Sequence, residues 1–372
     1  MAPVRDLTLT DFPFMAALAS SDEPKDRRIW LRVASDYFVA AEPSDTDAIA
    51  RFADAMAAQL DAADPATRMD IARRLAPSRR TPLRLLMKLE ASSPEASDYV
   101  LEHAAAFTSG YLASLVAGGG RRAVAVAKRK DLVPELQHAL AESGDIEALI
   151  ALARNGEARL EGGALMGIIG LARQRADAGD RRLAQALIAR RPVRPETAAL
   201  FLHADAGERV EILLAAQRMQ LARPPGAPPT QPAALEALEL AAVARQPARF
   251  VAVLAEALEC EPDLARRIVE DPSGEPLAVA LTALGAPNEV LVRVLISNDI
   301  LAGASYQRIR ALTRLNNALN RNAAAAVMGA LRDGVVRRDS GRQDPSAQTA
   351  DARALPSRPT VRSVAAPRRV RA

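Results

Sequence analysis

One cysteine, Cys260, stands in 372 residues. No disulfide can close within the chain and no cysteine-based metal cage can form, and a lone thiol fits a reducing compartment. Histidine is nearly as scarce: His103, His138 and His203 fall in no ligand spacing such as HExxH, so no bound metal is expected. No serine lies in a GxSxG turn and no histidine stands near Cys260 in the sequence, so the pieces of a nucleophilic site are missing. We therefore expect no catalytic residues, no cofactor and no enzyme. Aromatics make up only 3% of the chain, with Trp30 the single tryptophan. Runs of β-branched and aromatic residues bounded by turns are few, which leaves strands little support. The opening MAPVRDLTLTDFPFM has no apolar run behind a basic start, and GGALMGIIGLA at 162–172 is too short to span a bilayer. A soluble, cytoplasmic protein is the expectation.

What is present is helix-forming. Hydrophobic residues are 49% of the chain, led by alanine and leucine. Asp64-Pro65, Thr81-Pro82 and Ser93-Pro94 each set a capping side chain before a proline suited to the first helical position, and Ser44 reads as a further start. Ile49, Phe52, Met56 and Leu60 then recur at three- and four-residue steps, as do Leu85, Leu86 and Leu89.

A short pattern recurs: an aliphatic residue, alanine, then two basic residues. It stands at Ile71-Ala72-Arg73-Arg74, Val126-Ala127-Lys128-Arg129, Ile188-Ala189-Arg190-Arg191 and Leu264-Ala265-Arg266-Arg267. Each copy precedes a helix such as RTPLRLLMKLE, VPELQHALAES, RPETAALFLHA or SGEPLAVALTALG, then a break and a second helix. The copies are 55, 62 and 76 residues apart, a degenerate repeat. The aliphatic–alanine pair suits a helix contact, and the basic pair is expected on the other side, with stems over apolar surface and charges in water. We expect four structural copies rather than four anion sites, within an all-α fold: an irregular α-solenoid of helix pairs.

The expected organisation is an N-terminal helical segment (1–62), a repeat region (63–222), a proline-rich loop or linker RPPGAPPTQP (223–232), a second repeat region (233–334) and a disordered arginine-rich tail (335–372). The tail holds nine arginines and three aspartates, so the body carries 40 basic against 42 acidic residues and the net +4 belongs to the tail.

The best ligand candidate is AGGGRRAVAVAKRK at 117–130. Gly119 and Gly120 could offer backbone N–H groups, and Arg121 and Arg122 guanidiniums, to a phosphate. The plainer alternative is a helix cap and turn, since GGGRRA matches neither phosphate-loop spacing. In DPSGEP (271–276), Asp271 and Glu275 suggest an acid/base pair, but the dipeptides are strong turn formers and Ser273 or Gly274 can cap a helix near Pro276. Gly163-x-x-x-Gly167, with Gly170 beyond, is expected to allow close packing inside the fold.

The stretches RMDIARRLAPSRRTPLRLLMKLE, GRRAVAVAKRKDL, LFLHADAGERVEILLAAQRM and LARRIVEDPSGEPLAVALTALGAPNEVLVRVLI resemble a bacterial family known as domain of unknown function 2336, found mainly in alphaproteobacteria. The resemblance spans about residues 65–330. It implies an all-helical, HEAT-like array and supplies no catalytic residues. The leading functional expectation is a scaffold or regulatory adaptor for a protein partner. The alternatives are a nucleic-acid-associated protein (or one with another acidic partner) using the basic tail, and a nucleotide- or phosphate-responsive module at 118–129.

Overall fold

The structure is a computed structural model that describes residues 18, 20–41, 45–222, 230–297 and 306–333. The tail expected at 335–372 and most of the proline-rich segment lie outside the described residues, as does Ser44. Regular structure among the described residues is helical throughout. In chain order the helices are α1 (Pro24–Ala41), α2 (Thr46–Asp61), α3 (Pro65–Leu75), α4 (Leu83–Glu90), α5 (Pro94–His103), α6 (Ser109–Ala117), α7 (Gly120–Ala127), α8 (Pro134–Ser143), α9 (Ile146–Arg154), α10 (Gly162–Asp177) and α11 (Arg182–Ile188). A 3-10 helix, Pro195–His203, follows. Then come α12 (Ala206–Ala222), α13 (Pro232–Val243), α14 (Pro247–Leu258), α15 (Pro262–Glu270), α16 (Glu275–Leu284), α17 (Asn288–Ser297), α18 (Tyr306–Ala318) and α19 (Arg321–Asp333).

The starts follow from orphan backbone donors. Asp64 caps α3 and Ser93 caps α5, each side chain accepting an N–H of the first turn, a bond worth about 1 kcal/mol. Asp45 performs the same task for α2, taking the place expected for Ser44. Thr81 departs from expectation: its hydroxyl donates to Leu75 O at 2.7 Å and closes the end of α3 instead of opening α4.

Through α11 the helices pack in two rows, each against its next-but-one neighbour. One row runs α1, α3, α5, α7, α9, α11; the other pairs α2 with α4 and α6 with α8 and α10. In the first row the C-terminal carbonyls of one helix are met by a group that follows the next. Ala105 N donates to Ala76 O after α3. Arg129 donates to Leu101 O and Ala104 O at the end of α5, at 2.8 and 2.9 Å. Asn155 donates to Ala127 O and Arg129 O after α7. Arg190 reaches Leu152 O, Ala153 O, Asn155 O and Ala158 O after α9. These bonds reach carbonyls at and just beyond the helix ends, where intrahelical partners run out, although Leu152 O and Asn155 O accept a backbone N–H as well.

The four basic motifs are thus structural, though not as simply as expected. Ile71, Val126 and Ile188 are fully buried, and Ala72, Ala127 and Ala265 pack with them. Ala189 is exposed, because α11 ends at Ile188. The expectation that the basic pair merely reaches water is corrected at Arg129, which is only 3% exposed, and at Arg190, which is partly buried. Where the helix ends at or just before the alanine (α7, α11), an arginine folds back as a cap. Where the helix continues (α3, α15), Arg74 pairs with Asp36 and Asp70, and Arg267 with Asp177.

The 3-10 helix ends the first row. It packs on α10, α11, α12 and α19, and the later helices adopt other pairings, chiefly α12 and α16 on α19 and α13 on α14 and α17. Met1–Val336 form one compact unit. The glycines of α10 correct a further expectation: Gly163, Gly167 and Gly170 are exposed, with open space where a Cβ would stand, so they do not bring two helices of this chain together.

Candidate functional site

The glycine-arginine turn is built as a junction. Gly119 and Gly120 both hold positive φ, +64° and +67°, a backbone that side-chain-bearing residues rarely adopt. This places Gly120 N 2.6 Å from Asp145 Oδ2, while the other oxygen of Asp145 caps α9. Arg121 pairs with both oxygens of Asp98 at 2.9 Å, and Arg122 with the buried Glu90 at 2.9 Å. Of the groups that the sequence offers to a phosphate, Gly120 N, Arg121 and Arg122 therefore meet a carboxylate from α4, α5 or the residue that caps α9, and Gly119 N donates to Val116 O at 2.9 Å. The carboxylates play the part of the anion, and the turn ties those helices to α7.

The cleft of note lies where the row ends, between the C-terminus of α10, the turn before α11, the end of the 3-10 helix and α15. Its volume is about 690 Å³. His203 lines it although its side chain is only 6% exposed. Its Nε2 lies 3.0 Å from Asp177 Oδ1 and 3.3 Å from Arg267 Nη2, and those two groups pair at 2.8 Å. One ring nitrogen thus faces an acceptor and a donor, and only one of the two contacts is a hydrogen bond in a given tautomer. Burial lowers the basicity of His203; Asp177 opposes this, while Arg267 and Arg181 reinforce it. The imidazole is neutral near pH 7.

Behind the cleft, Arg209 of α12 is buried and holds the turn before α16. It bonds Asp271 at 2.6 Å, Ser273 at 2.7 Å, Glu275 at 3.1 Å and Phe201 O at 3.2 Å, and lies over the Phe201 ring. Burial pushes the Asp271 carboxyl up, but the bonds from Arg209 and Ser273 outweigh it and leave the group more acidic than usual. Asp271 and Glu275, considered as an acid/base pair, are instead the two carboxylates of an arginine clamp. Ser273 Oγ accepts Glu275 N at 3.1 Å, so the turn also caps α16.

Two charges on the cleft stand apart. Arg266 pairs with Asp263, Arg267 with Asp177 and Asp271 with Arg209. Among the described residues, Arg181 and Glu270 have no side-chain partner. The lining residues include no serine, threonine, cysteine or lysine. In the sequence His203 is one of three histidines outside any ligand spacing, and nothing marks Asp177 or Arg181. His203 lies 26 positions from Asp177 and 22 from Arg181, and Arg267 lies 90 from Asp177, so no local spacing marks the group. The other histidines are set differently, His103 stacked on Tyr99 and His138 exposed beside Glu142. Cys260 is half-buried, and burial raises its thiol pKa.

Helix rows ending in a charged cleft define an all-helical protein with no strand or metal-ligand cluster among its described residues. Over residues 97–329 the chain matches a family described as an uncharacterised protein conserved in bacteria (DUF2336), and it belongs to that family. The match takes in the cleft and the Arg209 clamp; the resembling stretch at 68–90 precedes it. No curated protein and no solved structure matches the chain.

Proposed function

We propose that the protein is a non-catalytic adaptor, a solenoid-like array of helix pairs that holds a protein partner, in the cytoplasm, where Cys260 stays reduced. The observation that supports this reading is how the surface is divided. Along the rows, basic side chains are engaged by acidic ones of neighbouring helices: Arg28 with Asp64, Lys88 with Asp61, Arg121 with Asp98, Arg182 with Glu147. Large apolar side chains are left exposed in pairs one helical turn apart, Leu83 with Met87 on α4 and Val210 with Leu214 on α12, each 44–50% exposed. Such pairs are the anchors a partner helix or loop covers, and a charge-paired surface around them disfavours binding to a polyanion.

The test is affinity capture from native extract with the wild-type chain and with two double variants, Leu83→Glu/Met87→Glu and Val210→Glu/Leu214→Glu. The adaptor reading expects one protein retained at stoichiometric level by the wild type and released by at least one double variant. Equal retention by all three contradicts it. Material released by nuclease treatment would favour the nucleic-acid reading instead.

A further inference from the structure

The charge balance at the inner corner of the cleft is uneven. Arg181 and Arg267 bring two positive charges to His203, and Asp177 brings one negative charge. Asp177 is shared between Arg267 and His203, which leaves Arg181 without a carboxylate among the described residues. Ala176 and Leu202 line the same cleft and lend it apolar wall. Next along α15, Arg266 and Asp263 neutralise each other; Asp271 is held by Arg209; Glu270 is the remaining negative group. A cleft of about 690 Å³ has the volume of a small-molecule or peptide-segment site.

We propose that the corner formed by Arg181, Arg267 and His203 is a binding site for an oxyanion, the carboxylate or phosphoryl group of a ligand, with Arg181 as its principal cation. The inference goes beyond the adaptor reading and stands if that reading fails. Burial is the main reason His203 stays unprotonated, and the arginines add to it; a bound anion beside Arg181 offsets the arginines' part, so binding and proton uptake are coupled. Affinity therefore rises as pH falls through the range in which His203 titrates. Glu270 opposes the ligand, so removing its charge tightens binding.

The chain has three histidines, so its imidazole C–H resonances are few, and His203→Gln assigns the one that matters. The experiment follows each histidine through a pH titration of the full-length protein by NMR. Sodium chloride at matched ionic strength is the reference; the probes are inorganic phosphate and, separately, an acetylated tri-glutamate peptide. A probe that binds raises the His203 midpoint by about one pH unit, the size expected for a new opposite charge a few ångströms away. The exposed His138 stays in place, Arg181→Gln abolishes the shift, and Glu270→Gln lowers the probe concentration required. A response to phosphate alone marks a phosphoryl ligand. A response to the peptide alone marks an acidic protein segment, and a response to both marks an unselective oxyanion site. No shift with either probe, or the same shift in Arg181→Gln, overturns the proposal.

Discussion

At the scale of single residues, what a charge touches decides its weight. Arg129 and Arg73 occupy the basic pair of the same motif in different copies. Arg129 is buried, donates to two carbonyls and pairs with Asp131; Arg73 is exposed. Arg129→Ala leaves Leu101 O and Ala104 O without donors and should cost about 1–3 kcal/mol in a urea melt, whereas Arg73→Gln should stay within about 0.5 kcal/mol. Equal effects would mean the capping bonds do not form in solution. The aliphatic positions were legible because period and residue type specify a buried helix face. The capping arginines were not, because their role depends on where the helix stops, within one or two residues.

His203 carries a pH signature of its own. Its folded pKa lies below 6.5, so its neutral form is the one the fold accommodates. That contribution is complete above pH 6.5 and is lost as pH falls through 6.5 toward the folded value, because the unfolded chain takes up the proton first. The carboxylates act lower. Asp64, held down to about 2 chiefly by its bonds with Thr67, contributes stability above 3.8 that is lost as pH falls from there toward 2. Melts from pH 7.5 to 5 should show a slope in the wild type that is reduced in His203→Gln. An unchanged slope would place the titrating group elsewhere.

At the scale of elements, the sequence marked helices well and their company poorly. Caps at Asp64 and Ser93 and the Phe52–Met56–Leu60 face were readable because they are local. RPETAALFLHA reads as an ordinary helix, yet Pro195–His203 is a 3-10 turn against which α10, α11, α12 and α19 all pack. Tertiary packing overrides propensity there, and it is this element that presents His203 to the cleft. The α10 glycines make a test at the same scale. Gly167 is helical and exposed, with open space around its Cβ position, so Gly167→Ala should stabilise the protein by up to about 1 kcal/mol. A loss of stability in the thermal melt would mean that this face is covered in solution.

At the scale of the molecule, the all-helical class and the family were legible across most of the chain, from composition, periodicity and the resembling blocks. The cleft was not, because it forms where distant segments meet: 176–181, 202–203 and 263–271. The two blocks that carry much of the family resemblance, LFLHADAGERVEILL and LARRIVEDPSGEP, are the ones that Arg209 and His203 join. The compact unit ends at Val336, which predicts that deleting 337–372 leaves the helical signal and melting temperature nearly unchanged. A drop of several degrees would show that the terminal segment supports the fold.

We propose that the helical body, not the arginine-rich C-terminus, holds the partner. The direct measurement is capture on full-length protein and on residues 1–336 side by side, at low and moderate salt, with bound material identified by native mass spectrometry. Attraction through the nine C-terminal arginines would fade steeply as salt screens exposed charges within about 10 Å at 0.1 M. Contacts on α4, on α12 or in the cleft should survive both the deletion and the salt. Retention of the same protein by both chains at moderate salt is the predicted result. Loss of that protein from the shorter chain, with its helical signal and melting temperature intact, would contradict the claim.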